Sequence, residues 1–479
     1  MSAAALMLAA CGAPGSLQPE PVEPNPGALS EEALAERLAE AIRFETISRK
    51  GEPDASLGAF EGFRAWLTET YPRTFAALEV EDLGHGTLWL TLQGSDETLA
   101  PIVFIAHQDV VPVEPGTQSQ WTHPPFEGRI ADGYVWGRGA IDMKAHLVTL
   151  LTAMEGLLQD GFAPRRTVHI GLGHDEEVDG AGARAMAAWL IERDQRAWFV
   201  LDEGGAMVLD FPLTGEPTAM VAVAEKGFLT VEVTARARGG HSSSPPERTA
   251  VGLLAQALTR IQDNPFELSL EGGPVKDMLR AVSPDMDGMA GFAAARPGLF
   301  GSMIVDQMRQ DDAARAMLGT TIAPTVISGG VVENVLPQEA HALINLRLHP
   351  RDSGKDALAH LRRAVDGLEG VTIEPYSSWS DAPPVAATSG PAWNIIAGAA
   401  ASHAPEGALV TPGLLVATTD IRAFADAADN LYRYSPAEIT LDDLARIHGD
   451  DERMAVTNLP VMVSYFRTVI YEAGMSEAR

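Results

Sequence analysis

The segment TVHIGLGHDEEVDGAGARAMAAWLIER, residues 167–193, contains the elements that decide the fold. TVHIGLG predicts a buried strand, and ARAMAAWLIER has the apolar spacing of a helix. Between them stand three adjacent carboxylates, those of Asp175, Glu176 and Glu177. Neighbouring carboxylates raise one another's pKa, so such a cluster is unfavourable unless water solvates it or a cation lies among its members.

Strand-like and helical segments alternate on both sides of this stretch. Short β-rich runs occur at 88–94, 102–107 and 198–204, and a helical run covers 146–159. Strands separated by helices predict an α/β fold, here a three-layer domain with a mixed, largely parallel sheet. In such sheets the functional site lies at the carboxyl ends of the strands.

The pattern changes near residue 218, where period-two alternation replaces the buried runs. Half-exposed strands alternating with an amphipathic helix indicate an α+β unit. We therefore predict an α/β domain in two parts, 30–217 and 369–479, interrupted by an inserted α+β domain, the lid domain, over 218–368. Residues 264–322, rich in Met, Gly and Pro, predict a helical insertion within the lid.

The bulk composition restricts the classes of function. A chain of 479 residues is too long for one ordinary core, which favours two domains. The formal net charge of −30 argues against nucleic acid as a partner, because no basic stripe is present. The sequence has no apolar run of about eighteen residues or more, so we predict no membrane-spanning helix.

The first 29 residues resemble a bacterial export signal followed by a linker. Leu8-Ala9-Ala10-Cys11 is similar to a lipoprotein processing box, and a Pro-rich stretch follows it. Cys11, the only cysteine, is the candidate for lipidation, which would tether an exported, periplasmic or membrane-anchored protein through a flexible segment. The apolar run lacks a preceding Lys or Arg, which leaves open a chance cysteine and a cytoplasmic protein.

Polar residues follow several of the strand-like runs. They are His107, Asp109, Asp142, Glu176, Glu177, Asp202 and the distant His448. Together they bring imidazole nitrogens and carboxylate oxygens to one edge of the predicted sheet, a mixture that suits Zn²⁺ and similar divalent metals. Two histidines and three of these five carboxylates would be too many ligands for one zinc ion and natural for two, with one carboxylate bridging. Adjacent glutamates would let one bind metal while its neighbour acts as the general base.

Ordered motifs along the chain resemble the di-zinc aminoacylase and carboxypeptidase family. They are AHQDVVPV (106–113), WGRGAIDMKA (136–145), GHDEEVDGAGA (173–183), VLDEGG (200–205), GGHSSSPP (239–246), GGVVENVLP (329–337) and NLRLHP (345–350). ATTDIRAF (417–424), LYRYSPAEI (431–439) and RIHGDDERM (446–454) are similar to the carboxypeptidase S branch, which includes hydrolases of N-fatty-acyl amino acids. The resemblance implies hydrolysis of an amide bond beside a free carboxylate, in a small-molecule substrate that is a peptide or an N-acyl amino acid.

The resemblance also implies a role for each candidate in the catalytic domain. His107 and Asp202 would bind one zinc ion, Glu177 and His448 the other, and Asp142 would bridge the two, with Co²⁺ or Mn²⁺ as substitutes for Zn²⁺. Glu176 would be the general base. Asp109 would accept the His107 ring N–H and fix its tautomer. The peptide bond after Asp142 would be cis.

Three candidates come from the inserted domain. By the same resemblance His241 would stabilise the oxyanion, and Asn334 and Arg347 would bind the substrate carboxylate. Smaller relatives dimerise through this type of domain, so a homodimer is left open. From the residues alone, His241 could simply occupy a Gly-rich turn and Arg347 could be a surface charge.

Two other functions compete with the zinc hydrolase of peptides or N-acyl amino acids. One is a deacylase of small biosynthetic intermediates, against which the export tether argues. The other is an inactive, lipid-anchored binding protein. The presence of Glu176 argues against this second alternative, because a binding protein needs no base.

Overall fold

The computed structural model describes residues 18–52 and 55–478. Its strands are β1 (Glu79–Asp82), β2 (Leu88–Leu92), β3 (Ile102–His107), β4 (Arg129–Ala131), β5 (Tyr134–Trp136), β6 (Val168–Gly173), β7 (Phe199–Asp202), β8 (Met207–Val208), β9 (Thr218–Glu225), β10 (Gly227–Arg236), β11 (Gly240–His241), β12 (Thr321–Gly329), β13 (Val335–Leu336), β14 (Glu339–Leu348), β15 (Val371–Pro375), β16 (Leu409–Leu415), β17 (Leu431–Arg433), β18 (Glu438–Ile439) and β19 (Arg453–Ala455). Its α-helices are α1 (Glu31–Ile42), α2 (Leu57–Thr70), α3 (Pro72–Ala77), α4 (Ala145–Gln159), α5 (Ala181–Glu192), α6 (Ala250–Gln262), α7 (Val275–Val282), α8 (Gly288–Ala294), α9 (Pro297–Met308), α10 (Asp312–Ala316), α11 (Gly354–Ala364), α12 (Pro391–His403), α13 (Leu441–Leu444) and α14 (Asn458–Met475).

The larger sheet is mixed, in the order β1-β2-β6-β3-β7-β17-β9-β8-β18, with β16 also paired to β9. Its central strands β6, β3, β7 and β17 are parallel neighbours. Every residue of β3 and of β6 is buried, as expected for strands covered on both faces.

Side chains of β3 alternate between two helical layers. Ile102 and Phe104 share a hydrophobic cluster with α1, α4 and α14, whereas Val103 and Ile105 share another with α5. Successive side chains of a strand point to opposite faces of the sheet. The sheet therefore lies between two layers of helices, which confirms the predicted α/β class.

The smaller sheet is antiparallel, in the order β12-β14-β10-β15. Alternate residues of β14, such as Ile344 and Leu346, pack with α6 and α11 in a separate core. Arg347 and Asn345 occupy the intervening positions, so they belong to the opposite, more exposed face.

The four helices α7 to α10 lie within the predicted helical insertion. Leu279 and Ile304 from these helices share a cluster with Val208 and Phe211, and α7 contacts β16. The helices α7 to α10 therefore pack against the larger sheet, although they belong to the inserted segment that contains the smaller sheet. β12 begins at Thr321, just before the predicted end of the insertion, and the division of the chain into domains stays a prediction.

The described part of the Pro-rich N-terminal segment lies against the protein. The side-chain amide of Gln18 donates to the carbonyl of Ala281 (3.0 Å), and its oxygen accepts from the Val410 N–H (2.8 Å). Asn25 N–H donates to Thr468 Oγ1 (2.9 Å). The expectation of a flexible tether is therefore wrong for this part, because side chains distant in sequence hold it. Cys11 lies outside the described residues, and no described helix has the length and apolar character needed to cross a membrane.

Candidate metal centre

Two triads of side chains share Asp142 at the carboxyl edge of the larger sheet. His107 Nε2 lies 3.0 Å from Asp142 Oδ1 and 3.2 Å from Glu203 Oε1. His448 Nε2 lies 3.1 Å from Asp142 Oδ2 and 3.1 Å from Glu177 Oε2. Within each triad one potential ligand atom per residue lies within 4.8 Å of the others. One carboxylate thus faces both histidines, an arrangement suited to two metal ions.

Parallel strands bring these residues together. His107 ends β3, the turn carrying Glu177 follows β6, and Glu203 follows β7. Because these three strands are adjacent and parallel, their carboxyl ends meet at one edge. His448 comes from a distant loop and has a positive φ of 62°.

The structure places Glu203 where the sequence analysis predicted Asp202. The Asp202 carboxylate accepts backbone N–H groups from Glu203 (2.8 Å) and Ile421 (3.1 Å), and Asp202 is 2% exposed. Adjacent residues at the end of a strand point to opposite sides, so only one of the two can face the histidines. The structure therefore places Glu203 in the triad instead of the predicted Asp202, and we propose Glu203 as the ligand.

The three adjacent carboxylates that follow β6 have three different environments. Asp175 accepts the N–H groups of Ala181 (2.7 Å) and Gly182 (2.8 Å) at the start of α5. Glu177 belongs to the second triad. Glu176 makes no hydrogen bond through its carboxylate among the described residues and lines the adjoining cavity. Their adjacency therefore combines a helix cap, a candidate ligand and a free carboxylate.

Asp109 supports this edge in two ways. His107 Nδ1 lies 2.9 Å from the Asp109 carbonyl oxygen and 3.3 Å from Asp109 Oδ1, so a proton on Nδ1 can be donated to Asp109. The Asp109 carboxylate also accepts the N–H groups of Glu176 (3.2 Å) and Glu177 (3.1 Å), and the Ser48 hydroxyl (2.6 Å). Asp109 thereby fixes both the imidazole and the turn that carries the two glutamates.

Glu452 holds the segment that carries Asp142, and sequence reasoning missed it. Its buried carboxylate accepts N–H groups from Gly139 (3.0 Å), Ile141 (2.8 Å) and Asp142 (3.1 Å) and pairs with Arg138 (2.8 Å). The peptide bond between Asp142 and Met143 is cis, as the resemblance implied. Arg138 lies in the motif WGRG and Glu452 in the motif GDDER. These two opposite charges, close in sequence to Asp142 and His448, were the feature from which the pair could have been predicted.

The carboxylates of the centre are crowded and poorly solvated. Burial raises the pKa of Glu176 and Glu177, and it raises the pKa of Glu203 to about 8. Hydrogen bonds to Asp142 and Glu177 raise the pKa of His448 to about 10. Glu177 Oε1 is buried and has no hydrogen-bond partner among the described residues. This set of oxygen and nitrogen donors fits divalent cations, which would relieve the crowding and displace the proton of His448.

The family model of Peptidase family M20/M25/M40 matches residues 103–472. The chain belongs to this family. It is 33% identical over 448 residues to a probable carboxypeptidase S-like 2 of Dictyostelium discoideum, covering 92% of this chain and 85% of that one. It is 34% identical over 442 residues to the N-fatty-acyl-amino acid synthase/hydrolase PM20D1 of Xenopus tropicalis, covering 91% of this chain and 85% of that one.

Other members of the M20 family extend the comparison. Carboxypeptidase S of Saccharomyces cerevisiae is 30% identical over 471 residues, covering 88% of this chain and 81% of that one. The solved structure of an M20 family metallo-carboxypeptidase, Sso-CP2 from Sulfolobus solfataricus, matches the fold with a TM-score of 0.67 at 17% identity. The match covers 93% of this chain and 100% of that one. The predicted family and branch are confirmed, and the chain is a hydrolase.

A cavity of about 430 Å³ adjoins the triads of this M20 hydrolase. Asp142, Glu176, Glu177, Glu203 and His448 contribute its charged lining. The apolar part of the lining comes from Ile141, Ala206, Leu415, Ala417, Ala437, Ile439, Leu444, Ile447 and Met454. The cavity thus combines reactive carboxylates with a surface that suits an apolar group.

The three candidates from the lid domain, His241, Asn334 and Arg347, make no described contact with the triads. His241 and Asn334 are exposed, and pairing of β11 with β13 places His241 opposite Val335. Arg347 is half-buried on β14. Within 18–52 and 55–478, no hydrogen bond or ion pair joins these three residues to the triads, so their roles stay predictions.

Proposed function

We propose that this M20 hydrolase uses two zinc ions to hydrolyse N-acyl amino acids. The bond that it cleaves is the amide bond beside the free carboxylate. The observation that carries the proposal is the sharing of Asp142 between two triads, each with one histidine and one further carboxylate. His107 and Glu203 would hold one ion and Glu177 and His448 the other. When bound, the two ions lower the pKa of water and polarise the substrate carbonyl.

Glu176 is the proposed general base. Its carboxylate lines the cavity and has no hydrogen-bond partner in the part of the chain that the structure describes. Burial raises its pKa towards the range in which a group both accepts and returns a proton. It would take the proton of the attacking water and deliver it to the leaving nitrogen. His241 would stabilise the oxyanion, and Asn334 and Arg347 would bind the carboxylate of the substrate.

The apolar lining of the cavity favours an acyl chain on the other side of the amide bond. Leu415, Ile439 and Ile447 offer apolar surface to a chain, and burying each methylene is worth about 0.8 kcal/mol. One of the similar proteins is named for N-fatty-acyl amino acids and another as a carboxypeptidase. Peptides with apolar side chains are therefore the second substrate class. A deacylase of small polar intermediates would leave this apolar surface unused.

A hydrolysis panel tests the proposal. Purified protein with added Zn²⁺ is assayed on N-decanoyl amino acids and on dipeptides, with and without a chelator. We expect faster turnover of N-decanoyl amino acids, loss of activity with the chelator and recovery on adding Zn²⁺. Turnover that is insensitive to chelation would contradict the metal centre, and exclusive turnover of dipeptides would contradict the acyl preference.

Anchoring through Cys11 is a separate proposal that rests on the sequence. Labelling of the expressed protein by a fatty-acid probe is expected and should disappear in the Cys11→Ser variant. Equal labelling of both proteins would contradict it.

A homodimer also stays a proposal. β12 forms an edge of the smaller sheet and exposes Val326 and Ile327, features that suit pairing with a second copy. Light scattering during gel filtration measures the mass, and a monomer at micromolar concentration would contradict the dimer.

A further inference from the structure

A row of small side chains forms one wall of the cavity beyond the metal centre. The chain that leads into β18 runs parallel to the segment that follows Glu203. Near Glu203, Ser435 N–H donates to the Gly205 carbonyl (2.7 Å), and further along Leu209 N–H donates to the Ile439 carbonyl (2.9 Å). Each residue of an extended chain advances it by about 3.3 Å, so Ile439 lies about 13 Å along the wall from Ser435. The wall therefore leads away from the metal centre.

The side chains of this wall are small near its middle. Ser435, Ala437 and Ile439 all line the cavity, as expected for alternate residues of an extended chain, which share one face. Ala437 is 3% exposed, and Ala206 lines the cavity from the neighbouring segment. A larger side chain at either alanine would occupy space that now belongs to the cavity. The width of the cavity along the wall therefore depends on these two alanines.

The helix α13 and the loop after it cover the far end of the wall. Leu444 and Ile447 line the cavity from this side, and Leu444 is 38% exposed. The helix is held at its start, where Leu441 N–H donates to the Asp210 carboxylate (3.0 Å). An apolar group bound between the wall and α13 would cover the exposed surface of Leu444, which favours binding.

The charges that line the cavity are confined to the metal centre. They belong to the two triads and to Glu176, and no other charged side chain of the described residues lines it. Of the three hydroxyl groups in the lining, that of Thr419 already donates to Glu225 (3.0 Å). A peptide beside this wall would have few partners for its N–H and carbonyl groups, and burying an amide without partners costs free energy. An acyl chain has no such groups and therefore suits the wall better.

We propose that Ala437 is a specificity-determining residue, whose small side chain lets a long acyl chain pass from the metal centre along the wall and under α13. Short acyl groups end before this position and do not contact it. The inference rests on the proposed function and deepens it, because it names long-chain acyl groups as the substrate class and one residue as the determinant of chain length.

The test compares Ala437→Leu with Ala445→Leu as the matched control. Ala445 is exposed at the end of α13 and does not line the cavity, so the same side chain is added outside it. For N-decanoyl-leucine, we expect Ala437→Leu to lower kcat/KM by about 10- to 100-fold, because the added side chain occupies the path of the acyl chain. For N-butanoyl-leucine, kcat/KM should stay the same in both variants.

The two acyl lengths separate this role from general disruption of the site. An equal loss for N-decanoyl-leucine and N-butanoyl-leucine, or no loss for either, would overturn the inference. Thermal unfolding of each variant shows whether it folds. If Ala437→Leu does not fold, Ala437→Val provides the same comparison with a smaller expected loss.

Calorimetry separates this inference from the proposed function. Binding of N-decanoyl-leucine and of N-butanoyl-leucine is measured with zinc-loaded protein carrying Glu176→Gln, with and without Ala437→Leu. Weaker binding of the decanoyl compound alone supports Ala437 as the determinant even if the unmodified protein hydrolyses neither compound, which would refute only the proposed function. Equal affinities with and without Ala437→Leu, or no binding of N-decanoyl-leucine to either protein, would refute the inference even in an active hydrolase.

Discussion

At the scale of single residues, the pair Asp202 and Glu203 offers a sharp test of the metal centre. Glu203→Ala removes a carboxylate that lies 3.2 Å from His107 Nε2, so we expect it to lose about one bound metal per chain. Asp202→Asn should keep its metal and lower the thermal stability, because Asn cannot accept both N–H groups as a carboxylate does. Elemental analysis measures the metal content. The reverse pattern would restore Asp202 as the ligand.

Glu176 is tested against its neighbour Asp179. Glu176→Gln should lower kcat by about 10²- to 10⁴-fold while metal content stays the same, because the base is lost and the ligands remain. Asp179→Asn is the control, since Asp179 is an exposed carboxylate in the same turn. Steady-state kinetics with parallel metal analysis decide, and unchanged turnover in Glu176→Gln would rule out its role as base.

At the scale of secondary-structure elements, the junction between β9 and β10 contains a buried amine. Lys226 donates to the Gly319 carbonyl (2.7 Å), and burial lowers its pKa to about 8 from 10.5. The unfolded chain therefore binds more protons than the folded protein between about pH 8 and pH 10.5. The free energy of unfolding of the natural protein, relative to Lys226→Met, should rise with pH in that window by at most about 1.4 kcal/mol per pH unit.

Denaturant unfolding of the two proteins at pH 7.5 and at pH 9.5 measures this difference. Lys355→Met is the control, because Lys355 is exposed on α11. A difference that falls as the pH rises would contradict a lowered pKa for Lys226.

Sequence patterns predict elements better than they predict supporting contacts. Continuous apolar runs indicated β3, β6 and β7, and the polar residues that follow them indicated His107 and Glu177. The choice between Asp202 and Glu203 depends on the residue at which β7 ends. The apolar pattern of the sequence does not determine that residue. The role of Glu452 was missed because it acts on backbone N–H groups, which have no signature in the side-chain sequence.

At the scale of the whole molecule, the N-terminal segment is expected to contribute to stability. Gln18 and Asn25 bind elements hundreds of residues away, and each net hydrogen bond is worth about 1 kcal/mol. The free energy of unfolding of a chain lacking residues 1–29 should be about 2 kcal/mol lower than that of a chain lacking residues 1–17. Urea unfolding measures the difference. Equal stability of the two truncated chains would show that these contacts contribute nothing.

Pro-rich composition predicted a free tether because local sequence carries no information about such distant partners. Asn25 and Thr468 are 443 residues apart in the chain, and only the complete fold brings them together. The three-layer order, by contrast, follows from local alternation of strands and helices, which is why it could be predicted.

The sharing of Asp142 by two triads also has a consequence for protein synthesis. His107, Asp142 and Glu203 lie within the first 203 residues of the sequence, whereas His448 follows far later. A ribosome therefore synthesises all three residues of the first triad well before His448, which the second triad requires. In the proposed two-ion centre, truncated products that stop ahead of His448 would lack one ligand of the second ion.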